Sequence, residues 1–124
     1  MAVEVAEAAL TPALALDYLD ELSADIRGGL VLDRRGNLAA AWHGDDDRGD
    51  RMREPLLDLM ERADAAVPGR ARASALEVAA GTGCVFAVRS DRWTLAVVTS
   101  RATLSSLVFF DLRHVLDDLE PART

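Results

Sequence analysis

Apolar and polar positions recur along the chain with two periods, and the switches between them divide it into eight segments. Thr11-Pro12 opens the first, with Thr suited to capping and Pro favoured at a first helical position. Leu14, Tyr18, Leu19, Leu22 and Ile26 then share one arc at about 100° per residue, with Leu16 outside it, and Gly28-Gly29 follows. This predicts a helix over Thr11–Arg27. The apolar run Gly29–Leu32, the turn residues Arg34-Arg35-Gly36-Asn37 and the second run Leu38–Trp42 read as a β-hairpin. Its first strand is apolar at successive positions, which suits burial on both faces.

A polar loop from His43 to Asp50 leads to a second helix, with Met52, Leu56, Leu59, Met60, Ala63, Ala66 and Val67 in one stripe. An interior proline costs about 3 kcal/mol, so Pro55 places the start of this helix at Asp50 or Arg51, and Val67-Pro68-Gly69 ends it. Ala73–Ala80 alternates weakly and stops at Gly81-Thr82-Gly83. Cys84–Val88 and Trp93–Thr99 are joined by Arg89-Ser90-Asp91-Arg92, completing a three-stranded meander. A final helix over Thr103–Leu119 aligns Leu104, Val108, Leu112, Val115, Leu116 and Leu119, and Pro121 stops it. The predicted order is αββαβββα, one α+β domain.

Composition narrows the chemistry. The chain has 124 residues, enough for one buried core, but only 5% aromatics, so that core is built from Ala, Leu and Val. All 14 basic residues are Arg, which excludes a catalytic lysine and any P-loop. The net charge of −7 repels phosphates and anionic headgroups. Neither nucleic-acid binding nor membrane insertion is expected: no stretch approaches the roughly 18 apolar residues that span a bilayer, and Met1–Val5 does not read as a signal peptide. A single Cys84 asks for no oxidising compartment, so the expected location is the cytoplasm.

Candidate catalytic groups fare poorly. Cys84 sits in an apolar run, where a free thiol packs as a small hydrophobe. The carboxylates Asp45, Asp46, Asp47 and Asp50 fail the calcium-loop pattern, because Asp50 falls where glycine is needed and Leu56 where a carboxylate is needed. They read instead as acidic residues gathered at a helix N-terminus. Gly81-Thr82-Gly83 lacks the third glycine of a dinucleotide fingerprint and precedes a strand. No catalytic residue, metal ligand or cofactor is expected. Surfaces carry more information: Leu107, Phe110 and His114 form a second stripe on the final helix, read either as a wide buried face or as a partner contact. Leu57 lies off the main stripe of the second helix, and Arg51, Arg53 and Arg62 could meet acidic groups of a partner, though each reads more simply as a solvated side chain.

The run Gly28-Gly29-Leu30-Val31-Leu32-Asp33-Arg34-Arg35-Gly36-Asn37-Leu38 resembles the Roadblock (dynein light-chain roadblock-type) pattern of glycine, apolar strand, Asp, glycine turn and second strand. Gly83–Val88 and Trp93–Val98 look like the last two strands of that family, and Leu104–Leu119 like its closing helix. The likeness spans about residues 11–120, with 1–10 as an extension and 121–124 as a tail. It implies a central five-stranded antiparallel sheet of the roadblock/profilin-like kind, with the second helix on one face and the first and last on the other. It further implies a bacterial, non-enzymatic homodimer that regulates or scaffolds a Ras-like small GTPase, sometimes activating it. Pairing through the second helix and the third strand would involve Leu56, Leu57, Met60, Ala63, Ala75, Leu76 and Glu77. Arg51, Arg53, Leu107, Phe110 and His114 are the candidate partner contacts, and an arginine finger would come from Arg48, Arg51 or Arg53. The resemblance supplies no catalytic side chain, and Pro55 is a departure that shortens the pairing helix. The alternative reading is a PAS- or profilin-like small-molecule sensory domain, which would need an internal pocket.

Overall fold

Thr11 caps the first helix, its hydroxyl accepting from the Leu14 N–H at 3.3 Å, and Pro12 fills the first position. In the computed structural model, which describes residues 10–67, 69, 72–79, 81–100 and 103–120, this helix is α1, Pro12–Leu22. The expected extension (save Leu10), tail and stop signals Pro68 and Pro121 lie outside the described residues, as does Ala80. The remaining elements are β1 Ile26–Asp33, β2 Leu38–Ala41, a 3-10 turn Trp42–Gly44, α2 Asp46–Ala66, β3 Ala75–Ala79, β4 Gly83–Arg89, β5 Trp93–Ser100 and α3 Ser105–Leu119. The order αββαβββα holds, with the 3-10 turn added.

Two helix expectations need correction. α1 stops at Leu22, and Ile26, Gly28 and Gly29 belong to β1. Its buried face is Ala15, Leu16 and Leu19, so Leu16 points inward while Leu14, Tyr18 and Leu22 face solvent. Ile26 mimics another helical turn because it reaches the same core from a strand. α2 starts earlier than expected: Asp45 is its cap, accepting from the Arg48 N–H at 3.1 Å, with Asp46 and Asp47 in the first turn. Carboxylates here satisfy free N–H groups and oppose the positive end of the helix dipole. Pro55 therefore sits in mid-helix, on an exposed position, and α2 runs 21 residues without being shortened.

The five strands form one antiparallel sheet in the order β2-β1-β5-β4-β3. β1 lies between two strands and is buried on both faces along Leu30–Leu32, as its unbroken apolar run requires. One face packs Val31, Phe86, Val88, Leu95 and Val97 against α1 and α3. The other packs Leu30, Leu32, Ala87 and Ala96 against Leu56 and Met60 of α2. Small residues let α2 approach closely: a Cβ on Gly49 would stand 2.8 Å from that of Ala41 in β2. The β1–β2 turn is held by Asp33, whose Oδ1 accepts from the N–H groups of Arg35 (2.9 Å) and Asn37 (3.0 Å), while Gly36 supplies the positive φ of 82°.

Candidate interaction surface

The α2-side face of the sheet is only half covered. Across the strands, Leu76, Ala87, Ala96, Leu30 and Ala41 stand in one row. The neighbouring row is Val78, Val85, Val98 and Gly28. α2 lies over the β1–β2 half, which leaves Val78, Val85 and Val98 half-buried. An apolar cleft of about 230 Å³ opens there, between Met52, Pro55 and Leu59 of α2 and Val85 and Val98 of the sheet. That is below the roughly 300–1,000 Å³ of ligand pockets. Beside it β3 forms an edge of the sheet, as its place at the end of the order dictates, with outward backbone N–H and C=O groups that no other strand among the described residues pairs.

The residues expected at a pairing surface separate into different environments. Leu56 and Met60 are 4% and 3% exposed, and anchor α2 to its own sheet. Leu57 covers the β1–β2 turn, its methyls 3.3 Å from where a Gly36 Cβ would stand. Ala63 is half-buried on α2, and Leu76 is half-buried on the α2 face. Ala75 and Glu77 point to the opposite face, where Ala75 packs on the α1–α3 core and Glu77 accepts from the Ser105 hydroxyl at 2.7 Å. Leu59, Val78, Val85 and Val98 belong to this surface although the sequence pattern does not single them out for it. A strand-by-strand register would place the three valines on one face, but the extent of α2 coverage is not written in any local pattern.

Among the arginines, Arg53 donates to the Gly36 carbonyl at 3.2 Å, and Arg48 lies against Gly28, where a Cβ would meet its guanidinium at 2.7 Å. Arg51 is exposed. The second stripe of the final helix is a surface rather than a buried face: Leu107 is 57% and Phe110 67% exposed, and Phe110 stacks on His114 with ring centroids 6.3 Å apart. Leu104, expected in the buried stripe, is exposed at the N-cap of α3. Cys84 is half-buried against the α1–α3 core.

At the C-terminal end of α2, Asp64 ties the helix to the sheet. Arg89 of β4 donates to both Asp64 oxygens, with its Nη1 at 3.1 Å from Oδ2, and the Ala73 N–H reaches Oδ1 at 2.8 Å. The Arg89 guanidinium, then the Ala73 N–H, hold the Asp64 carboxyl below its ordinary value of 3.8 against an opposing push from desolvation. No cluster of three or more His, Cys, Asp or Glu able to hold a metal occurs among the described residues. No helix among them is long and apolar enough to cross a membrane.

No protein-family model matches the sequence, and no curated protein matches it. Solved structures do. A Roadblock/LC7 domain from Streptomyces avermitilis superposes with a TM-score of 0.77 at 15% identity, covering 89% of this chain and 95% of that one. The gliding protein MglB from Thermus thermophilus gives 0.69 at 17% identity, over 94% and 95%. An MglB in a tetrameric arrangement gives 0.62 at 17% identity, over 94% of each chain. The chain has the Roadblock/LC7 fold.

Proposed function

We propose that this protein is a non-enzymatic, homodimeric regulator or scaffold of a Ras-like small GTPase in the cytoplasm. The observation that carries the reading is the half-buried valine row beside β3, whose outer edge no other strand among the described residues pairs. Antiparallel pairing of β3 with β3 of a second copy would join two sheets into one and satisfy the edge. It would also bring the α2 of each copy towards the other's uncovered half-face. Leu59, Leu76, Val78, Val85 and Val98 then form the apolar centre, with Ala63 permitting close approach of the two helices. The Roadblock/LC7 fold and the tetrameric arrangement of a structural neighbour support assembly through copies of the chain.

The fold it shares with MglB and the Roadblock-like spacing of the sequence support a GTPase as the partner. Arg53 is hydrogen-bonded within the chain and Arg48 lies against Gly28, while Arg51 is exposed; acceleration of hydrolysis would act by shifting the population of the partner's switch loops. The test mixes the purified chain with the small GTPase encoded nearest its gene, loaded with GDP or with a non-hydrolysable GTP analogue. A complex in at least one nucleotide state is expected, and the hydrolysis rate separates activator from scaffold. Absence of binding in both states contradicts the reading.

A further inference from the structure

The sheet face opposite α2 carries a feature that the proposed dimer does not use. α1 and α3 run antiparallel there, with the Leu10 N–H bonded to the Asp118 carbonyl at 2.9 Å at one end and Leu22 beside Leu104 and Leu107 at the other. At this second end, where α1 passes through Ser23 and Asp25 into β1 and Thr103 leads into α3, lies a groove of about 240 Å³ floored by Leu19, Val108 and Leu112. All six exposed large apolar side chains among the described residues belong to these two helices or the α3 cap: Leu14, Tyr18, Leu22, Leu104, Leu107 and Phe110. Scattered exposed leucines need no explanation, but Leu22, Leu104 and Leu107 line the groove together, and apolar residues gathered in this way mark an interaction site.

Both charged side chains that line the groove, among the described residues, are acidic. Asp25 and Asp111 line it, and Asp17 and Glu21 are exposed along α1. None of the four forms an ion pair among the described residues. The Leu19–Leu22 and Leu107–Leu112 walls belong to α1 and α3, whose backbone groups are consumed by helical hydrogen bonds and offer an extended peptide no strand edge. A third helix fits the groove between two helices at the usual 8–10 Å spacing.

We propose that the α1–α3 groove docks a basic amphipathic helix of a partner protein. Its apolar side chains seat between Leu22 and Leu107, and its Arg or Lys side chains reach Asp25, Asp111 and Glu21. The charge complementarity selects this occupant over an acidic helix or an anionic membrane, both of which the rim repels.

Fluorescence anisotropy with two labelled synthetic helices tests this: one with a leucine face and arginines elsewhere, and a twin with glutamate for arginine. The arginine peptide is expected to bind at least about tenfold more tightly than its twin. Leu22→Ser and Leu107→Ser, both at exposed positions, should each weaken it about tenfold with Tm unchanged, and Asp111→Asn should flatten the dependence on salt. Equal binding of the two peptides, no binding of either, or binding indifferent to both serine variants overturns the proposal. So does loss of self-association in Leu107→Ser by sedimentation, which would assign the groove to a second copy of the chain. Leu76→Arg acts on the opposite face and is expected to leave peptide binding intact, so this proposal and the dimer fail separately.

Discussion

Phe86→Ala is expected to lower the stability of the fold by about 4 kcal/mol, within the range for large-to-small changes at a fully buried aromatic. Phe86 is the largest fully buried side chain, and it meets Phe109 of α3 edge-to-face with centroids 5.3 Å apart and planes at 81°. The other rings are not free to refill the space: Tyr18 and Phe110 are exposed, Trp93 is half-buried and Trp42 stacks on His43. Chemical or thermal denaturation checks it, with a fall in Tm of roughly 12–20 °C for a chain of this size. A loss under about 1 kcal/mol would mean that α3 does not seal this part of the sheet.

Asp64→Asn should cost about 2 kcal/mol at neutral pH. It leaves the Arg89 charge, on a side chain only 9% exposed, without its counter-ion. Breaking a fully buried pair costs about 3–5 kcal/mol, and the greater exposure of Asp64 reduces that figure. The pH dependence gives the effect a signature. The folded carboxyl is held below its ordinary value of 3.8, so the contribution is fully present above that value and is lost as pH falls through the lower folded value. The gap in stability between wild type and Asp64→Asn therefore stays constant from pH 7 down to about pH 5 and closes on further acidification. A gap independent of pH would assign the loss to packing rather than charge. Because Asp64 joins the end of α2 to Ala73 and Arg89, the pair also sets the position of α2 relative to the β3 edge.

Periodicity carries much of this architecture, and its failures have physical causes. The strands read correctly because β1, β4 and β5 are central and their apolar runs are bounded by glycine and polar turns. Periodicity misphases α1 because Ala15 is a weak apolar marker, although it is fully buried, while Leu14, Tyr18 and Leu22 are strong markers that face solvent. Leu22 among them lines the α1–α3 groove, so the misphasing points to a surface. Pro55 sets the expected start of α2 too late, because the acidic run before it outweighs the proline. An exposed proline gives up one helical hydrogen bond, but Asp45 to Asp47 supply a cap and a favourable first turn. A strand register places the three valines on one face, but their partial exposure is not legible in the sequence, since which half of a sheet a helix covers depends on close approach at Gly49 and Ala41.

Sedimentation velocity of wild type beside Leu76→Arg decides whether a second copy covers this half-face. The wild-type chain should sediment as a dimer at micromolar concentration. Leu76→Arg, which puts a charge beside the valine row without touching the α1–α3 core, should shift it to monomer with at least about a tenfold rise in the dissociation constant. A wild-type chain that stays monomeric at high micromolar concentration, or a Leu76→Arg variant that remains as dimeric as wild type, would mean that no second copy covers the valine row.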